Sequence, residues 1–118
     1  MRNLAPSLYR QRLLIEGFYK IDVDKKVLKD YFETITKLLK LRMYGEPTIF
    51  SPAGAGKKKN QGYDAFVPLI DSGISVYVWT HAKFFSGILY TCKGFDEKKA
   101  IAATKKFFQI DTAEVKSF

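Results

Sequence analysis

At 118 residues with 47% hydrophobic and 15% aromatic side chains, the chain can fill one core but hardly two, so a single domain over residues 1–118 is expected. A charged fraction of 27% excludes a charge-driven disordered chain, and no apolar run approaches the roughly 20 residues of a membrane span. The net charge of +8 admits nucleic acid, anionic metabolites or acidic partners without choosing among them.

Residues 1–7 hold no apolar stretch of the secretory kind, and a cytoplasmic location is expected. Residues 12–19 read as a first strand, with Gly17 as a bulge position. Asp22 or Asp24 can cap a helix, after which Leu28, Tyr31, Phe32, Ile35, Leu38, Leu39 and Met43 recur at three-to-four spacing; Gly45 and Pro47 end it. Residues 48–50 make a short strand, and the polar stretch 51–62, with Lys57, Lys58 and Lys59, makes a loop. Strands over 63–70 and 74–79 follow, joined by a tight Asp71-Ser72-Gly73 connection. In the second of these, Ile74, Val76 and Val78 face one way, and Ser75, Tyr77 and Trp79 the other. Residues 84–92 are a further strand, ending on the chain's one cysteine, Cys92. A lone cysteine forms no intrachain disulfide and makes a cysteine-based zinc site implausible; it is either a small buried hydrophobe or a reactive thiol. Asp96 caps a second helix with Ala100, Ile101, Thr104, Phe107 and Phe108 as its buried stripe, and residues 112–115 form a last strand.

Strands joined by short turns must be antiparallel, because parallel neighbours need a long crossover. The expected class is therefore α+β, an antiparallel sheet with two helices on one face. The other face would be open and aromatic, and a dimer stacking two sheets as an α/β/β/α sandwich would cover it.

Gly54-Ala55-Gly56-Lys57 resembles a phosphate loop only superficially, since the position after the lysine is Lys58 rather than the required Ser or Thr. Basic charge with abundant aromatics also suits a sheet that stacks single-stranded bases, but no nucleic-acid motif accompanies it, and nucleic acid is the least favoured partner. Hydrolytic triads and metal sites usually need histidine, and the one histidine here is His81; it projects onto the Trp79 side of its strand.

The segment Leu69-Ile70-Asp71-Ser72-Gly73-Ile74-Ser75-Val76-Tyr77-Val78-Trp79-Thr80-His81, with residues 84–92, resembles the small prokaryotic S-adenosylmethionine decarboxylases of polyamine (spermidine) biosynthesis. That family reads ESH, an alternating run with a histidine, TWPE, a strand and FTC. Ser72, Trp79 and Tyr90-Thr91-Cys92 fall at matching ungapped spacing, and Ile15-Glu16-Gly17-Phe18-Tyr19 resembles the family's opening strand. The resemblance implies a precursor that cuts itself between Asp71 and Ser72. Ser72 would become a pyruvoyl group that holds the substrate amine as a Schiff base, and Cys92 would reprotonate the product. Phe50, Ile74, Trp79 and His81 would fall in the substrate site.

Four positions depart from the pattern. Gly73 replaces the histidine after the serine, and Tyr77 replaces the processing histidine five residues on, although a phenol is a poor base at neutral pH. Asp64 replaces a processing serine, and His81 replaces the glutamate that holds the ribose. The leading expectation is a homologue that keeps the fold without processing itself, binding an amine or nucleoside-like ligand, or pairing with and regulating an active relative. The alternative is a working pyruvoyl decarboxylase cut at Asp71-Ser72, in which Tyr77 or His81 has taken over the missing histidine's task.

Overall fold

A computed structural model describes residues 1–51 and 61–118. Apart from its two ends, the basic loop read at 51–62, with Lys57, Lys58 and Lys59, lies outside the described residues. The elements run β1 (Gln11–Phe18), α1 (Lys25–Leu38), β2 (Thr48–Phe50), β3 (Gly62–Leu69), β4 (Ser72–Trp79), β5 (Phe84–Thr91), α2 (Glu97–Phe108) and β6 (Ala113–Ser117). The strands form one sheet in the order β2-β3-β4-β5-β1-β6, antiparallel at every pair. Among the described residues no helix is long and apolar enough to cross a membrane.

Period-two alternation decides which face of each strand is buried. Leu13 and Ile15 of β1, Val67 of β3, Ile74, Val76 and Val78 of β4, and Phe85 and Leu89 of β5 all lie under the helices with almost no exposure. Leu28, Tyr31, Phe32 and Ile35 of α1 and Ala100 and Phe108 of α2 meet them from above. The centre of this core is aromatic: the Phe85 and Phe108 rings are 4.6 Å apart, and Tyr31 lies 4.9 Å from Phe108 and 5.9 Å from Phe85. Tilted pairs of this kind add about 0.5–1.5 kcal/mol each beyond the area they bury. The Tyr31 hydroxyl is paired with Thr104 Oγ1 at 2.9 Å, which joins α1 to α2 through a fully buried bond. Burial pushes the Tyr31 phenol up to about 12, with the Thr104 hydrogen bond pulling slightly the other way.

The helix caps explain where the helices begin. The Asp24 side chain accepts from Val27 N–H at 2.9 Å and the Asp96 side chain from Lys99 N–H at 3.1 Å, each satisfying a donor that the first turn leaves free. The end of α1 corrects the expectation that it runs on to Gly45. It stops at Leu38 because Lys40 takes a left-handed conformation (φ 57°), Leu41 N–H reaches back to the Thr36 carbonyl (2.8 Å) and Lys40 N–H to that of Lys37 (3.2 Å). That is a Schellman stop with lysine in place of the usual glycine. Met43, which seemed to continue the helical stripe, instead bridges to Leu69 at the sheet. Gly17 is not a bulge either, since β1 keeps unbroken register with β5 and β6 through it. Its missing side chain makes room for Ile110, whose Cγ2 would lie 2.5 Å from a Cβ there.

Candidate functional site

The β3–β4 hairpin turns through two residues, Ile70 and Asp71, so that Leu69 pairs with Ser72, and Asp71 has φ 53°. A left-handed residue suits this position, and aspartate tolerates it better than most side chains. The connection expected at Asp71-Ser72-Gly73 is thus one residue earlier, and Ser72 and Gly73 already belong to β4. One strand over, β5 ends at Thr91, whose hydroxyl donates to the Lys93 carbonyl at 2.6 Å. The β4–β5 register sets Gly73 opposite Tyr90, which leaves Cys92 beside Ser72.

The contacts there form a chain. Cys92 N–H donates to Ser72 Oγ at 2.8 Å, Ser72 Oγ donates to Cys92 Sγ at 3.5 Å, and Cys92 Sγ donates to the Ile70 carbonyl at 3.5 Å. The serine oxygen is therefore held by both the backbone and the side chain of residue 92. A backbone N–H at that distance can stabilise charge developing on the oxygen. A thiol whose own proton rests on a carbonyl is a weak acceptor for the serine proton.

Ser72 and Cys92 border a cleft of about 270 Å³ on the side of the sheet where α1 ends. Leu41, Leu69 and Ile70 supply its apolar lining, and Lys40, Arg42 and Lys93 its charged part. The Lys93 ammonium donates to the Lys40 carbonyl at 3.2 Å across this end of the helix. On the open face Ser72 also borders a second depression of about 300 Å³, together with Asp71, Phe66, Ile88 and Tyr90. Each volume sits at or below the small end of ordinary ligand pockets, so each is suited to a fragment-sized group.

The remaining residues picked from sequence do not converge on Ser72. Tyr77 lies on the open face, five residues and roughly 16 Å along the strand from Ser72, which faces the other way. Within one chain it therefore cannot act as the base for Ser72. Its neighbours are Phe50 and Asp64, which register places in line with it across β2, β3 and β4, around a shallow 120 Å³ depression. Trp79 ends β4 at the opposite rim of the sheet, its ring 5.6 Å from Phe84. His81 is exposed in the turn after β4 rather than on the strand face beside Trp79, because the strand ends before reaching it. Ile74 is fully buried beneath the helices, so its side chain lines no pocket. Conversely, Lys40, Leu41 and Arg42 carried no signal in the sequence. They reach the site only because α1 stops at Leu38 instead of running on toward Gly45.

A family model described as S-adenosylmethionine decarboxylase matches residues 14–118. The chain belongs to that family. Among solved structures it is similar to the adenosylmethionine decarboxylase of Aquifex aeolicus VF5, with TM-score 0.70 and 18% identity over 94% of this chain and 89% of that one. At that identity the likeness speaks for the fold, the S-adenosylmethionine decarboxylase-like α+β sheet with two helices. No curated protein matches the chain.

Proposed function

We propose that this member of the S-adenosylmethionine decarboxylase family remains uncut and serves as a ligand-binding or regulatory relative of the active enzymes. The hydrogen bonding of Ser72 carries the reading. Self-cleavage needs a base that removes the serine proton as its oxygen attacks the Asp71 carbonyl. The side chain bonded to Ser72 Oγ is the Cys92 thiol, whose own hydrogen is directed to the Ile70 carbonyl. The positions where the family has histidines hold Gly73, which has no side chain, and Tyr77, on the wrong face. The surroundings therefore do not fit the making of a pyruvoyl group from Ser72, and no step is derived through one. The cleft beside Ser72 remains available to a small ligand.

A second copy of the chain, or an active relative, covers the open face in this reading. Phe18, Phe50, Phe66, Tyr77 and Tyr90 all stand at least 39% exposed there, more aromatic surface than a lone sheet face usually presents to water. The ordinary reducing setting of the cytoplasm suits its unpaired thiol.

Two observations favour the alternative of an active, self-cut decarboxylase. The Ser72–Cys92 contact is intact, and the residue before the bond in question, Asp71, is held in a left-handed conformation. Intact mass after prolonged incubation separates the readings. An undivided chain is expected; fragments 1–71 and 72–118, the second with a blocked N-terminus, would establish the alternative.

A further inference from the structure

The charge around the Ser72–Cys92 cleft is one-sided. Lys40, Arg42 and Lys93 line it, and no carboxylate does. None of the three is within ion-pair distance of an acidic side chain; the pairs that form among the described residues are Lys20–Asp111, Lys26–Asp30 and Lys83–Asp22, all elsewhere. Residues 52–60 contain no Asp or Glu, so the acidic side chains of the chain all belong to the described part. The nearest carboxylate in sequence, Asp71, borders the depression on the other face instead. The like charges lining this cleft have no acidic partner within ion-pair distance, and the group that complements them is an anion.

We propose that the cleft beside Ser72 and Cys92 takes a small ligand through a carboxylate or phosphate group, held by Lys40, Arg42 and Lys93 over the apolar lining of Leu41, Leu69 and Ile70. The proposal rests on the reading of this cleft as the ligand site and adds the charge class of the ligand. A sulfonium-bearing, net cationic substrate is disfavoured there. Arg42 offers a planar fork that suits either oxyanion, whereas the two lysines act as point charges.

The single cysteine supplies a reporter inside the cleft. Once the thiol has given its proton to solvent, iodoacetate and iodoacetamide alkylate the thiolate by the same displacement, in which the S–C bond forms and iodide leaves; they differ in one negative charge. The ratio of their rates at Cys92, divided by the same ratio for 2-mercaptoethanol, measures the local field. The three cations that line the cleft are expected to raise that quotient roughly three- to eightfold between 0.1 and 0.01 M salt, and to leave it near one at 1 M. Arg42→Ala with Lys93→Ala is expected to remove more than half of the increase. A quotient near one at low salt overturns the proposal, and so does a raised quotient that the double variant leaves unchanged. Salt titration of the unsubstituted chain keeps the test decisive should the variant fold poorly. At matched ionic strength, slowing of the iodoacetamide reaction by inorganic phosphate points to a phosphate ligand, and slowing by malonate to a carboxylate. Slowing by neither at tens of millimolar overturns the ligand assignment. Intact mass is followed in the same samples: a cut chain defeats the uncut reading while the quotient still decides the charge class, and an uncut chain with a quotient near one does the reverse.

Discussion

The bond between Tyr31 and Thr104 fastens α1, the helix whose C-terminal end supplies one wall of the cleft, to α2. Tyr31→Phe removes the phenol oxygen and leaves Thr104 Oγ1, at 0% exposure, without this partner. The expected loss is about 1–2 kcal/mol of unfolding free energy in urea, with the dependence on urea concentration unchanged. Thr104→Val leaves the buried phenol unpaired and is expected to cost about 1–3 kcal/mol. The double variant should cost less than the sum of the two by about 1 kcal/mol, since each single change already forfeits the shared bond. The same phenol makes a pH signature. Its folded value is about 12, against about 10 in an unfolded chain, so between those values the unfolded state loses the proton while the folded state keeps it. Stability from this group is present in full below about pH 10 and declines as pH rises toward 12, by roughly 1.4 kcal/mol per pH unit and on the order of 3 kcal/mol altogether. Every other ionisable group is common to both proteins, so the difference between the parent and Tyr31→Phe isolates the phenol. The gap between them, about 1–2 kcal/mol below pH 10, should close and then reverse sign as pH climbs through that window, because a loss of about 3 kcal/mol exceeds it. A gap independent of pH from 9 to 12, or additive single and double variants, would refute the buried, paired phenol.

Other substitutions probe the segments that shape the site. Lys40→Gly relieves a left-handed side chain at the end of α1 and is expected to raise the urea midpoint by the equivalent of about 0.5–1 kcal/mol; a lowered midpoint would contradict the Schellman stop. Asp24→Ala and Asp96→Ala each remove an N-cap acceptor, with an expected cost of about 1 kcal/mol apiece and additive effects, measured in the same way. Gly17→Ala sets a methyl 2.5 Å from Ile110 Cγ2 and should cost about 1–3 kcal/mol, largely recovered on an Ile110→Ala background. A neutral Gly17→Ala would show that Ile110 does not press on β1.

Much of the layer structure was legible because burial follows short-range periodicity. The alternation of Ile74, Val76 and Val78 told which side of β4 is core, and the three-to-four spacing from Leu28 to Ile35 gave α1 its buried face. The same strand parity separates Ser72 from Tyr77, and it weighs against Tyr77 as a base more heavily than phenol chemistry does. The end of α1 was misread because Met43 kept the helical spacing while obeying a different constraint, a bridge to Leu69. Nothing local marks a lysine for left-handed backbone as a glycine would.

The sequence by itself determined the family and the α+β class, whereas the pairing of Ser72 with Cys92 comes from the strand register that brings positions twenty residues apart to one sheet end. Tertiary structure alone decided what surrounds that pair. It carried Lys40, Leu41 and Arg42 in from the far end of a helix, buried Ile74, left His81 in a turn and set Tyr77 on the opposite face. The physical reason is that local pattern fixes which side of an element is apolar, whereas the company a reactive side chain keeps depends on how elements distant in sequence end and pack, and those endings are settled by contacts made only in the folded chain.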